Sequence, residues 1–308
     1  MDYKYCLFFT FVNLVVLASA FSKGSDRNCG PPIKANDKDR LQFALNLEYL
    51  EAEFFCYGSL GHGIDFIEPG LSHGGPPPIG AQKANLNPLV CKSMEEFCYQ
   101  EIGHVRSIWR TVGGFPRPLY DLRAENFANF FDEALEMKLD PPFDPYATTS
   151  HYLLAAYLLP YVGLVGYVGT IPQLYNYTTK RLAASLLGVE AGQDAVIRTM
   201  LYEKAGEKVE PYDITVAEFT NALSRRRNEL AMCGIKDEGV IVPKELGAEN
   251  RTNSNILSAD PNSLSYARTP PEILSIMHAT GNYSQPGGFF PKGANGRIAK
   301  SLLFKFKG

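Results

Sequence analysis

The chain has no surplus of basic residues: 30 Lys and Arg stand against 33 Asp and Glu among 308 residues, a formal net charge of -3. A nucleic-acid partner usually calls for a strongly basic face, so none is expected. The chain also lacks a Cys-x-x-Cys pair, which removes the main support for a zinc ribbon or a thioredoxin-type site. It shows no internal repeat and no convincing series of alternating strands, so repeat and all-β architectures have no support. With 45% hydrophobic and 20% charged residues, 27 Gly and 21 Pro, it is not collagen-like, disordered or a disulfide-dense miniprotein. The length suits one large domain or two small ones and is ample for a sizeable core.

What is present begins with an export signature. Lys4 precedes an apolar run from Cys6 to Leu17, and Ala18-Ser19-Ala20 forms a small-residue cleavage site. Residues 1–20 therefore read as a signal peptide cut before Phe21, with 21–36 an N-terminal extension. Asn176, Asn250 and Asn282 lie in Asn-x-Ser/Thr triplets, candidate glycosylation sites in a secreted chain. No Lys-Asp-Glu-Leu type tail closes the sequence, so release to the extracellular space is expected. Removing Cys6 leaves Cys29, Cys56, Cys91, Cys98 and Cys233 as disulfide candidates. The odd count predicts one or two bridges and at least one thiol left over, with the pairing open.

Apolar residues at helical spacing predict helices over Asp37–Leu60 with Asp37 as N-cap, from Asn87-Pro88 to about Val112, and over Ala124–Leu139. Further helices are expected over Ala147–Gly169, Thr178–Lys204 and Ile214–Cys233. From Gly234 onward the pattern reads as loop with one short helix, Glu272–His278. The domain reading is a helical bundle over 37–233 and a loop-rich extension over 234–308 that wraps it. Tyr152 to Ile171 carries no charge over a length that could cross a membrane. Pro160, the tyrosines Tyr152, Tyr157 and Tyr161 and the lack of basic flanks favour a buried core helix, so no transmembrane span is expected. Gly163, Gly166 and Gly169 form a small-residue stripe that admits a close neighbour.

Glu101-Ile102-Gly103-His104 puts a carboxylate and an imidazole on one helix face, a unit able to hold a metal. Glu48 and Glu51 on the first helix and Glu190 on the fourth long helix sit among apolar residues, with Gln193 one turn after Glu190. Acidic groups are rarely buried unless paired or coordinating. If the apolar faces converge, Glu48, Glu101, His104 and Glu190 converge as metal ligands; the opposing reading rotates each glutamate into solvent. Such donors suit iron or manganese. Glu51, or Glu53, could carry protons beside them. His62 and His73 fall in Gly-rich loops and read as exposed, and His151 either caps the third long helix or lines the pocket. Arg225-Arg226-Arg227 reads as a solvated face, and Tyr157, Tyr161 and Tyr167 as core aromatics. The Arg297–Lys307 segment reads as a packed tail.

These ligand motifs resemble the ferritin-like superfamily. Longer segments resemble the plant desiccation-related proteins over nearly all of the chain after residue 20. Among them are Leu45-Asn46-Leu47-Glu48-Tyr49-Leu50-Glu51, Gly74-Gly75-Pro76-Pro77-Pro78, Thr111-Val112-Gly113-Gly114-Phe115-Pro116 and Lys236-Asp237-Glu238-Gly239. The resemblance implies an all-α, ferritin-like four-helix bundle with an extra helix and a long irregular C-terminal extension. It also implies a secreted protein of apoplast, cell wall or secreted fluid, since some secreted plant members are described as ferritin-like catalases. A full di-metal set in the superfamily has a Glu on the third helix and a His on the fourth. Here Pro160 is expected where the first belongs, and Gln193, a weaker second-site ligand, replaces the other. One or two iron or manganese ions are thus expected, with hydrogen peroxide as the small-molecule substrate. Two other readings stay open: a non-catalytic desiccation protein with a decayed site, and an acid–base enzyme reusing the pocket. The glycans and the extension speak against a ferritin storage shell, while a smaller homo-oligomer stays open.

Overall fold

The computed structural model describes residues 29–303. The proposed signal peptide and the last residues of the tail lie outside them. The regular elements among the described residues are helical, joined by loops with isolated bridges such as Ile79 with Asp121.

Helix α1 (Asp37–Leu60) is the hub. It is buried on all sides, which is why its apolar residues show no single stripe. Its N-cap is Asn36, one residue before the expected Asp37: the Asn36 side chain accepts from the Asp39 amide, and Asp39 returns the bond. Asp37 instead accepts from the amides of Tyr175 and Asn176, tying α1 to the start of the fourth bundle helix. Gly61, in the left-handed region at φ 84°, stops α1. Helix α2 (Pro88–Val112) begins on the Asn87 cap with Pro88 in its first turn and packs along α1. The Cys56–Cys98 disulfide staples the pair.

Helix α3 (Ala124–Leu135) ends four residues before the expected Leu139, where Glu136 turns left-handed. The expected single helix over Ala147–Gly169 is two, α4 (Thr149–Leu158) and α5 (Pro160–Thr170). Pro160 has no amide to donate and its ring crowds the preceding turn, so the helix breaks at Leu159. The segment Thr149–Gln173 is long and apolar enough to cross a membrane, and most of it is buried inside the protein. Helices α6 (Tyr177–Glu203) and α7 (Val216–Ala231) follow, the latter opened by a Thr215–Glu218 capping box. Helices α1, α2, α5 and α6 enclose the centre of the bundle.

The chain beyond Gly234 is more ordered than loop. Helix α8 (Pro270–Met277) occupies the expected place, and a second helix, α9 (Gly296–Leu303), packs on α1. Asn46 and Asn295 exchange hydrogen bonds of 3.0 and 2.7 Å between α1 and the extension. Gly169 allows the extension to lie close, since a Cβ there would meet the Arg268 carbonyl at 2.4 Å. The Cys29–Cys233 disulfide ties the N-terminal extension to the end of α7, and Cys91 is free.

One expectation fails outright. Arg225 is exposed, but Arg227 is fully buried and ion-paired with Asp237, and its guanidinium lies over the Tyr157 ring. The extension supplies Asp237, a partner that no helical spacing within α7 could reveal.

Candidate metal centre

Glu48 and Glu51 project from α1, Glu101 and His104 from α2, and Glu190 and Gln193 from α6 into the bundle interior, and all six are buried. His104 Nδ1 lies 3.0 Å from Glu48 Oε2, 3.2 Å from Glu101 Oε2 and 3.6 Å from Glu190 Oε1. One ring nitrogen carries at most one proton, so three carboxylates converge where a single N–H cannot serve them all. The donor atoms of Glu48, Glu101, His104 and Glu190 all lie within 4.8 Å of one another.

Glu51 stands one turn from Glu48, beside Glu190 and facing Gly163 of α5. A Cβ at Gly163 would come within 2.9 Å of Glu51 Oε1 and 3.7 Å of Glu190 Oε2. The α5 residue facing the cluster is therefore Gly163, not Pro160, and it leaves room for the carboxylate that α1 sends across. Gln193 Nε2 donates to Glu101 Oε1 at 2.7 Å and to Gln100 Oε1 at 3.1 Å. Glu51 Oε2, Glu190 Oε2 and Gln193 Oε1 have no hydrogen-bond partner although buried. Buried oxygens left this way cost roughly 1–3 kcal/mol each, and more when charged. No lysine or arginine donates to any of the four carboxylates among the described residues.

The electrostatics follow from this crowding. Burial, then the charges of Glu190, Glu101 and Glu48, push Glu51 well above the usual carboxylate range. Burial and Glu190 do the same to Glu101, and burial raises Glu190 to about 7. Burial also works against ionised Glu48, but the charge and hydrogen bond of His104 outweigh it and hold Glu48 below its ordinary value. Burial opposes a charged His104, yet Glu101 and Glu48 hold its pKa far above the usual imidazole range. These donors fit a transition-metal site: oxygen-rich, with one imidazole, enclosed and short of positive charge.

Tyr167 of α5 is a core aromatic as expected, but its hydroxyl also donates to Glu48 Oε1. Burial and the Glu48 charge keep that hydroxyl protonated. Its spacing from Gly163, four residues along one helix, was the available signal. Tyr157 and Tyr161 belong instead to the buried arginine network. Glu53 is fully buried and away from the cluster, ion-paired with Arg117, so it is neither a solvated group nor a neighbour of the candidate ligands. His151 is buried between the carbonyls of Asp144 and Glu210, 2.9 Å from each, and lines no part of the cluster. His73 is exposed and stacks on Trp109, while His62 is half-buried beside Phe66. Asn176 and Asn250 are exposed, and Asn282 is half-buried.

A bundle of this kind, with carboxylates and an imidazole gathered at its centre, defines a ferritin-like protein with a candidate metal centre. The chain belongs to the ferritin-like domain family, which matches residues 36–203. It is 61% identical over 267 residues to "Ferritin-like catalase Nec2" of Nesocodon mauritianus, covering 87% of this chain and 86% of that protein. It is 52% identical over 275 residues to "Desiccation-related protein PCC13-62" of Craterostigma plantagineum, covering 89% of this chain and 88% of that one. No solved structure gives a significant match.

Proposed function

We propose that this chain is a secreted metalloenzyme that disproportionates hydrogen peroxide, two molecules giving one oxygen and two waters. The observation that carries the reading is the convergence of three carboxylate oxygens on one His104 nitrogen, with uncompensated buried oxygens beside it. The relative at 61% identity, named a ferritin-like catalase, supports the choice of peroxide.

Glu48, Glu101, His104 and Glu190 would hold a first ion. Glu51 and Gln193 would be available to another, with Glu51 standing in for a carboxylate that α5 lacks. Iron or manganese there would supply the one-electron changes by which two electrons pass from one peroxide to the next. The protein's own groups handle orientation and protons. Tyr167 fixes Glu48 by donating to Oε1 and leaves Oε2 toward His104. Without metal, burial and its neighbouring carboxylates keep a proton on Glu51, which makes it the group beside the cluster able to hold a proton where it is not itself a ligand. The apolar walls of α1 and α5 keep bulk water from the reacting groups.

Purified protein should contain iron or manganese and release oxygen from peroxide, and Glu101→Ala and His104→Ala should lose both. A metal-loaded protein that releases no oxygen would overturn the reading. A second reading, a desiccation-related protein without catalysis, draws on the Gln193 amide: its bond to Glu101 occupies an oxygen that a metal would use. That reading requires little bound metal and melting indifferent to chelators.

A further inference from the structure

A narrow cavity, about 20 Å³ for a water-sized molecule, runs between α1, α5 and α8 and reaches Glu48 and Tyr167. Arg40, Ala44 and Thr170 along it are half-buried, whereas Glu48 and Gly166 are buried, so it leads inward from the protein surface. That volume accommodates about one water. A larger cavity, about 510 Å³, lies between α7 and residues 234–246 and touches none of the cluster residues.

Two residues on facing helices border it. Gly166 of α5 faces Ile273 of α8, and a Cβ at Gly166 would come within 2.8 Å of Ile273 Cδ1. The glycine is thus already in contact with Ile273, and any larger residue at 166 would displace Ile273 or intrude on the cavity beside this contact, whose opposite wall the C-terminal extension supplies. At the outer end, Arg40 Nε is buried without a hydrogen-bond partner, a donor left for a small polar molecule. At the inner end stand the Glu48 carboxylate and the Tyr167 hydroxyl that donates to it.

We propose that this cavity is the substrate passage and that its Gly166–Ile273 wall is the size filter, admitting hydrogen peroxide and refusing organic hydroperoxides. The choice of peroxide rests on the function proposed above; the passage itself does not. Hydrogen peroxide is close to water in cross-section, while tert-butyl hydroperoxide adds a branched four-carbon group that a cavity of about 20 Å³ cannot pass. α8 thereby acquires a role in selectivity, although it lies outside the four helices that enclose the cluster.

The passage can be tested without any metal. In a Cys91→Ser background, a Leu47→Cys thiol lines the buried part of the cavity. Methyl methanethiosulfonate should label it at least about tenfold faster than a reagent bearing a fused aromatic group, as expected where a hydrophobic gap selects by size. Gly166→Val should slow the methyl reagent, and the milder Gly166→Ala keeps the comparison available if the valine disrupts folding. Equal labelling by both reagents, or labelling indifferent to residue 166, overturns the proposal. In the metal-loaded protein, Ile273→Ala should raise turnover of tert-butyl hydroperoxide relative to hydrogen peroxide by about tenfold; an unchanged ratio overturns the filter. Size-selective labelling in a protein that consumes no peroxide would leave the passage standing and remove the catalytic reading. Peroxide consumption with indiscriminate labelling would do the reverse.

Discussion

Gly163→Ala isolates the part played by Glu51. The added methyl would lie 2.9 Å from Glu51 Oε1, inside ordinary carbon–oxygen contact by a few tenths of an ångström. The neighbour it meets is the end of a flexible side chain, so Glu51 should turn away rather than the helices part. Turning costs about 0.5–1.5 kcal/mol for a side chain off its preferred rotamer. Replacing glycine by alanine inside a helix returns about 0.5–1 kcal/mol. The two nearly cancel, and the metal-free variant should melt within about 1 kcal/mol of the parent. Metal binding has no such offset. Displacing one ligand should weaken the second ion by about 10–100-fold, the range seen when ligand positioning is lost. Gly188→Ala is the control, because a Cβ there meets nothing within 4 Å. It should gain helix stability and keep its metal. The assay is a manganese titration followed by ion count, beside thermal melts with and without chelator. If Gly163→Ala binds as many ions as tightly as the parent, Glu51 is not a ligand and the reasoning fails.

Glu101→Gln should abolish metal binding yet melt higher than the chelated parent, on the order of 1 kcal/mol, because it replaces a carboxylate that burial and then Glu190 keep from ionising; a lower melt would show that burying this carboxylate is not a net cost. Replacing both Cys56 and Cys98 by alanine opens a cross-link spanning 42 residues and should cost about 4 kcal/mol by chain entropy, read by denaturant titration. Asp194 is raised to about 6 by burial, against the opposing charges of Arg198 and Arg227. The folded state then binds its proton more tightly than the unfolded chain. Its contribution to stability is therefore fully present below about pH 4 and lost as the pH rises to about 6. Asp194→Asn should flatten that segment of the stability–pH curve, by up to about 3 kcal/mol; an unaltered slope would place the titration elsewhere.

The helices were legible where the chain punctuates itself. Gly61, Asn87-Pro88 and Gly113 mark ends that the backbone must respect, and those ends stand within a residue of where spacing puts them. The ligand set was legible for a related reason: Glu48, Glu101 and Glu190 interrupt apolar faces, and an acid in such a place needs a partner. Three things were not. The turn lost at Leu159 required weighing Pro160 as a helix breaker rather than as a missing glutamate. Gly163 carries no chemistry, so nothing in its identity shows that it faces Glu51. The burial of Arg227 depends on Asp237, and Glu53 on Arg117 64 residues away. Partners brought together by tertiary folding leave no mark at helical spacing.

Charge balance separates a working site from a decayed one. Four carboxylates share the interior with one imidazole and no basic side chain donates to them, so the metal-free bundle must hold protons on groups that ionise readily in water. Two divalent cations would match four negative charges without those protons, and a single one would leave two protons behind. Replacing buried ionic clusters by well-packed apolar groups is often neutral or stabilising, by about 1–4 kcal/mol. A bundle with only a structural duty would thus be more stable with leucine or methionine at these places. The unpartnered oxygens of Glu51, Glu190 and Gln193 are a cost that hydrogen bonding within the protein does not offset, and a bound cation would. It follows that metal binding should release protons and raise the melting temperature together. The same titration done in two buffers of different ionisation heat would count those protons, and a count near zero would mean the carboxylates were never protonated and the crowding argument is wrong.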